Sequence, residues 1–530
     1  MAVPAAASVC DPDRYCPPEI TGLSDLLERH VRERPDARAL VVGGDRLAVS
    51  YATLAALSDD VAARLSGTGL RPGDAIGLVS ANTVEFVAAL LGGARAGLVV
   101  APIDPALPES QVSARLEALG VRAVLVGPPA AGAALVAPAN VPAWTLHVDV
   151  SPSGTATATL ETGSPATPPP QSAAGELSSH DALVLFTAGT TDRAKMVPLT
   201  HANVAASVRG ICATYELGPV DATVAVMPLF HGHGLFAGLL ASLATGGCVL
   251  LPERGRFSAH TFWDDMRAAG ATWFTAVPTI HEILLKRSAT DYPGPQGPPL
   301  RFIRSCSAPL NLATQRALER TLRAPLLSAY GMTESSHQAA SEPLPQNGPL
   351  KHGSVGVSTG VSLRVLDPDG NPCPVGAEGE VWVQGPTVTR GYLANVAETA
   401  HSFTAGWFRT GDLGSLDEDG YLFLTGRIKN LINRGGEKIS PEHVEDVIAG
   451  YPGVAEAAVF AIPDATYGQR TGAAVVLARG ESLGAEEILQ YCRSRLAPFE
   501  IPDRIEFVAA LPHTAKGALD RKAVDTQYGH

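Results

Sequence analysis

The sequence predicts an α/β protein: a large N-terminal domain of parallel-sheet subdomains plus a β-rich subdomain, then a small mobile C-terminal α+β domain. Three observations carry this expectation. Across residues 20–125, short apolar runs alternate with helical patterns, as sheets covered on both faces require. Residues 361–425 break instead into short strands separated by DPDG, GAEGE and DEDG turns. After Gly426 the pattern changes again, to a helix, two strands and a helix, which fits a separate small unit.

Taken in order, SDLLERHVRERP reads as a capped amphipathic helix ended by Pro35. DAIGLVS and GLVVAPI read as buried strands around the helix VEFVAALLGGARA. Residues 127–178, rich in Pro, Ala, Thr, Ser and Gly, read as a surface excursion or flexible connector. From about residue 180 to 360 the strand–loop–helix rhythm returns. The C-terminal unit contains the helix PEHVEDVIAGYP, the strands EAAVFAIP and GAAVVLA, and the helix AEEILQYCRSRL. The expected domains are 1–425 and 426–530, with no internal repeat.

Composition narrows the function. The 530 residues are 45% hydrophobic and 18% charged, normal for a globular enzyme and too many for one ordinary domain. The net charge of −13 and the lack of any Lys/Arg-rich run argue against a nucleic-acid partner. Seven scattered cysteines without a CxxC argue against a disulfide framework or a zinc site. No apolar stretch is long enough to span a membrane, and MAVPAAASVCDPDRYC has no signal-peptide pattern. A cytoplasmic location is expected.

Several short motifs carry the chemistry. The strand LVLF (183–186) runs into TAGTTDRAKMVPLTH, where small residues, hydroxyls and Lys195 suit a phosphate loop. It is not the GxxxxGK[ST] loop, because Ala194 and Met196 occupy the diagnostic positions. MPLFHGHGL places His231 and His233 beside apolar residues, either packed in a core or lining a pocket. RSCSAPL (304–310) sets Ser305 and Ser307 at a strand end, where α/β sheets bind ligands. SAYGMTESSH offers an aromatic face at Tyr330, a hydroxyl at Thr333 and a carboxylate at Glu334. The ring suits a nucleobase, and Thr plus Glu suit Mg²⁺. Asp412 in WFRTGDLG can accept from a ribose diol. LTGRIKNLINRGGEKISP, at the domain boundary, reads as a hinge or as a solvated charged loop.

In order and spacing, FTAGTTDRAKMVPLTH, MPLFHGHG, AYGMTE, WFRTGD, GRIKNLI and RGGEKISP resemble the adenylate-forming superfamily over roughly residues 20–525. FIRSCSAPL, AYGMTESSH and the PLPQNGPLKHGSVG run look most like oxalate–CoA ligases. The resemblance implies that ATP and a small acid give an acyl-adenylate and pyrophosphate. The small domain then turns, and a second nucleophile, usually the CoA thiol, takes the acyl group. It implies that Thr187, Gly189, Thr190, Thr191 and Lys195 hold the β- and γ-phosphates. Tyr330, beside Gly331 and Thr333, would stack on adenine. Glu334 would bind Mg²⁺ with Thr190, Asp412 would hold the ribose, and Arg427 would contact ribose or phosphate. Lys429 would be the hinge, and His231, Ser305, Ser307 and His337 would line the acid pocket.

LPHTAKGALDRKAV (511–524) departs from that family's T-x-x-G-K-[IVL]-x-R pattern: Ala518 stands where the catalytic lysine belongs, and Lys516 lies two residues earlier. In an extended loop two residues span about 6.6 Å and keep one face, so Lys516 is the candidate substitute. The phosphate loop differs too, with Ala188, Asp192, Ala194 and Met196 in place of Ser, Gly, Pro and Gly. Three readings follow. One is a small-acid–CoA ligase using Lys516. The second passes an activated anion to an amine, as in an amide synthetase of secondary metabolism or a nitrite-dependent aryl-amine diazotase. The third is a non-catalytic nucleotide sensor, against which the retained Lys195, Glu334, Asp412 and Arg427 argue.

Overall fold

The computed structural model describes residues 20–128, 141–162, 177–187, 194–513 and 519–530. It is a mixed α/β protein with a large N-terminal domain and a small C-terminal one. The centre of the large domain is a seven-stranded sheet. Its strands run, edge to edge, Ala156–Glu161, Ala143–Val150, Ala123–Val126, Ala75–Val79, Val99–Ile103, Asp181–Thr187 and Lys195–Thr200. The inner strands pair in parallel, while each edge closes with an antiparallel pair. Ala75–Val79 and Val99–Ile103 are buried at every position, which is why they read as unbroken apolar runs rather than alternating ones.

The helix Val84–Arg95 begins at Thr83, whose side chain accepts from the Phe86 amide. It packs between the sheet and the helix Tyr51–Gly67. At Gly92 an added Cβ would lie 2.7 Å from the Val61 side chain, so glycine lets the two helices approach.

A second sheet orders Ala222–Val224, Cys248–Leu251, Arg38–Val42 and Leu47–Ser50. The third carries Trp273–Ala276, Phe302–Ser305 and Leu326–Tyr330 in parallel, with Ala276 opposite Ser305 and Ser305 opposite Ser328. Three strand ends therefore lie side by side, the position where open α/β sheets bind ligands. A fourth, antiparallel sheet forms the β-rich unit, and its strand Leu422–Arg427 pairs with Trp407–Leu416. The fifth belongs to the small domain.

Two expectations need correction. The helix in SDLLERHVRERP is only Glu28–Glu33 and has no side-chain cap. Asp25 is engaged upstream instead, accepting from the Thr21 and Gly22 amides at 3.0 Å each, and this holds the preceding residues in a turn. The segment 127–178 is not wholly an excursion. Ala143–Val150 and Ala156–Glu161 form a hairpin that extends the seven-stranded sheet, with Trp144 and Leu146 facing the core. Its composition hid a half-buried alternation.

The small domain is tied together around the stem of the loop that holds Lys516. That loop, 514–518, lies outside the described residues, as do Lys516 and Ala518, but His513 and Leu519 bridge across it. Arg521 then reaches into the helix Pro441–Ala449 and bonds Glu445 at 3.0 and 2.6 Å, with Glu442 3.2 Å away. Glu442 also accepts from Asn430 at 2.5 Å, and the Ser440 hydroxyl donates to the Thr425 carbonyl at 2.5 Å. Arg521, just after that loop, and the start of the small domain thus share one partly buried charged cluster. Among the described residues no helix is long and apolar enough to cross a membrane.

Arg521→Leu leaves Glu445 buried without its partner. We expect it to lower small-domain stability by about 3 kcal/mol, read as a calorimetric transition displaced to lower temperature, with Arg521→Lys losing less.

Candidate active site

The strands Asp181–Thr187 and Lys195–Thr200 pair with Thr187 opposite Lys195, which makes the stem of the expected phosphate loop. Residues 188–193, including Gly189, Thr190, Thr191 and Asp192, lie outside the described residues. Lys195 forms an ion pair with Glu398, and its ammonium is 4.8 Å from the centroid of the Tyr392 ring. The Tyr392 hydroxyl donates to Glu334 Oε1 at 2.8 Å. Burial pushes the Glu334 carboxyl up, while the Tyr392 hydrogen bond and the Lys195 charge oppose it. The Lys195 hydrogen bond in turn holds Glu398 below the usual carboxylate range. Tyr392 and Glu398 carry no signal of their own in the sequence; only their place beside Lys195 marks them.

Among the described residues no three His, Cys, Asp or Glu side chains converge on a metal-sized site. Glu334 is a lone buried carboxylate. That suits Mg²⁺, which takes one or two carboxylates and completes its shell with water and nucleotide phosphates.

Tyr330 ends the strand Leu326–Tyr330 and donates to Asp412 Oδ2 at 2.6 Å. Arg427 Nε lies 2.8 Å from Asp412 Oδ1, and the two residues are cross-strand neighbours in register. Asp412 is buried, whereas the Arg427 side chain is half exposed to the cleft. Lys429, in the short turn Ile428–Asn430, sits in the same field. Burial lowers its pKa, repulsion from Arg427 and Lys195 adds to that, and Asp412 and Glu442 oppose it. Thr333 opens the 3₁₀ turn Thr333–Ser335 that carries Glu334. Gly331 precedes it, where a Cβ would lie 2.5 Å from the His337 carbonyl carbon.

A second cluster lies behind the ends of the third sheet. His233, at the start of the π-helix His233–Leu240, bonds Ser307 Oγ at 3.0 Å through Nδ1 and Thr275 Oγ1 at 2.5 Å through Nε2. His337 stacks on it with ring centroids 5.3 Å apart. Arg304 donates to the same Thr275 hydroxyl at 3.1 Å and to Tyr215 Oη at 2.8 Å. Ser307 holds a left-handed backbone, φ +77°, at the exposed mouth. Ser305 is buried, and His231 is half-buried beside Phe230, ring centroids 4.8 Å apart. The structure thus gathers His233, His337 and Ser307 around two residues not singled out from the sequence, Arg304 and Thr275, while Ser305 is the strand neighbour of Arg304 and is bonded to none of them. An arginine inside the apolar run RFIRS was the available signal.

Burial, then Arg304, pushes the His337 imidazole down to about 3, and burial pushes His281 down to about 4. Both rings are neutral when folded and titrate near 6.5 when exposed, so stability is complete above pH 6.5 and is lost as pH falls toward the folded values. In denaturant titrations at pH 7, 6 and 5, His337→Asn should flatten this loss by about 1.4 kcal/mol per pH unit.

Comparison with known proteins identifies the family. The AMP-binding enzyme family model matches residues 27–393, and the AMP-binding enzyme C-terminal domain model matches 443–518. An oxalate–CoA ligase of Arabidopsis thaliana is 43% identical over 512 residues, 95% of this chain and 98% of its own. A probable CoA ligase of Humulus lupulus is 42% identical over 511 residues, 95% of each chain. The crystal structure of ATP-bound MatB from Rhodopseudomonas palustris superposes with a TM-score of 0.81 at 29% identity, covering 96% of this chain and 99% of that one. The chain therefore belongs to the AMP-binding enzyme family, the adenylate-forming superfamily, and resembles its oxalate–CoA ligases.

Proposed function

We propose that this protein is an AMP-forming acid–CoA ligase that activates a small, oxalate-like carboxylate with ATP and passes it to the thiol of CoA. The observation that carries the reading is the turn 331–337. It sets Glu334 beside Lys195 and Tyr392 on one side and His337 in the His233–Ser307 cluster on the other. The α-phosphate and the acid are then neighbours.

In the first step a carboxylate oxygen attacks the α-phosphorus and pyrophosphate leaves. Lys195 exchanges Glu398 for the β- and γ-phosphates, aided by Thr187, Gly189, Thr190 and Thr191, and offsets charge on the leaving group. Glu334 with Thr190 would hold Mg²⁺, which supplies further neutralisation of the phosphates. Asp412, fixed by Tyr330 and Arg427, accepts from the ribose hydroxyls, and the Tyr330 ring flanks adenine. Arg427 reaches ribose or phosphate from its half-exposed position, and Lys516 brings a positive charge to the attacking oxygen. Rotation about Lys429 then admits the thiolate, which attacks the acyl carbon, and AMP departs.

Ala518 favours a second reading, transfer of the activated acid or anion to an amine, because it removes the lysine from its usual register. AMP and pyrophosphate release separates the two. Turnover with oxalate and CoA, abolished by Lys516→Ala, supports the ligase. Turnover only with nitrite and an aminophenyl acid overturns it. Asp412→Asn should raise the KM for ATP by about tenfold or more while leaving the KM for the acid within a few fold. Glu334→Gln should lower kcat by about 100-fold in a magnesium-dependent assay.

A further inference from the structure

Arg304 is a buried charge without a counter-charge. It lies in the strand Phe302–Ser305, buried at all four positions, and its own exposure is 0%. Nε and Nη1 are used on Tyr215 and Thr275, while Nη2 has no hydrogen-bond partner. Among the described residues the guanidinium pairs with no carboxylate; its polar neighbours are hydroxyls and the Cys306 thiol. Isolated buried ions oppose folding strongly, and proteins keep them where a ligand or partner supplies the opposite charge.

The surroundings are built the same way. His337 Nδ1 and Ser305 Oγ are also buried without partners. The imidazoles of His233 and His337 are held neutral by burial and by Arg304 itself, so they add hydrogen-bonding capacity and no charge. The cluster therefore presents one full positive charge plus polar atoms without partners, and the exposed Ser307, bonded to His233, joins it to the surface. Two residues of one tight turn, Ser335 and Ser336, separate His337 from Glu334, a spacing that suits a short acid.

We propose that Arg304, with His337 and Ser305, seats the second carboxylate of a short dianionic acid and makes the site select dianions over monoanions of the same size. This rests on the ligase reading above and adds the residue and the charge that decide the substrate. A charge-assisted contact from a planar guanidinium distinguishes a carboxylate from an amide, which a neutral pocket does poorly.

The test compares oxalate with oxamate, in which one carboxylate is an amide, using AMP release with ATP and CoA for wild type, Arg304→Gln and Arg304→Lys. The expected result is that Arg304→Gln loses roughly 30- to 1000-fold in kcat/KM for oxalate. Oxamate should change by only a few fold, the KM for ATP should hold, and Arg304→Lys should recover part of the oxalate rate. An unchanged oxalate-to-oxamate ratio, or equal loss on both acids, overturns the proposal and leaves Arg304 a structural pillar for Tyr215 and Thr275. Should Arg304→Gln not fold, the same ratio in Ser305→Ala and His337→Gln decides, with no change counting against the seat. Thermal unfolding with oxalate and no ATP separates this idea from the ligase reading. Protection of wild type but not of Arg304→Gln, in a protein that makes no acyl-CoA from any acid, keeps the seat and removes the ligase. No protection together with an unchanged ratio removes the seat.

Discussion

Between Gly331 and His337 the chain has almost no freedom. A Cβ on Gly331 would strike the His337 carbonyl, Gly232 packs against the His337 ring, and both Ser336 and His337 adopt left-handed backbone with φ of 51° and 62°. Non-glycine residues hold such conformations only where the surroundings over-determine them, and such strain clusters at sites of function. Here the surroundings are the end of the strand Leu326–Tyr330, the 3₁₀ turn and the stacked imidazoles. Because this turn is rigid, Tyr330, Glu334 and His337 project into three different environments from eight residues of chain. The nucleotide side, the candidate metal ligand and the acid side take their relative positions from it.

Charge is distributed around that turn in an orderly way. Lys195 is paired with Glu398, and Asp412 with Arg427. Among the described residues Glu334 accepts from a tyrosine hydroxyl, and Arg304 lies among hydroxyls, the Cys306 thiol and the neutral His233 and His337 rings. Among the described residues neither group has an opposite charge in contact: one is a carboxylate, the other a guanidinium. Low dielectric makes such imbalance costly in the empty protein and gives it strength toward ligands of opposite sign.

The small domain follows this centre in the chain. The Ser440 hydroxyl on the Thr425 carbonyl and Arg427 on Asp412 reach the large domain, while Asn430 on Glu442 and Arg521 on Glu442 and Glu445 hold the small domain's own residues together. A connection of that size suits a hinge, since hinges concentrate backbone change in a few residues at element ends. Gly435 and Gly436, both at positive φ, turn the hairpin of Ile432–Arg434 and Glu437–Ile439 just beyond it. What reads as a charged loop in RGGEKISP is thus a tight two-residue turn.

The sequence alone determined the fold class and the family. Unbroken apolar strands such as Ala75–Val79 announce a covered parallel sheet, and AYGMTE and WFRTGD are short enough for local chemistry to dictate their shape. It also showed Ala518 and Lys516 out of register. It did not show the hairpin Ala143–Glu161, because a Pro/Ala/Thr-rich neighbourhood masked a weak alternation whose value depends on the sheet edge it meets. It misjudged the first helix, because Asp25 bonds backward rather than capping forward. Tyr392, Glu398, Thr275 and Arg304 came only from tertiary structure. Their significance lies in neighbours far along the chain: Glu398 follows Lys195 by 203 residues, and Thr275 follows His233 by 42. Sequence reports residue types and local spacing; burial, and with it the worth of a charge, is decided only when distant segments close around it.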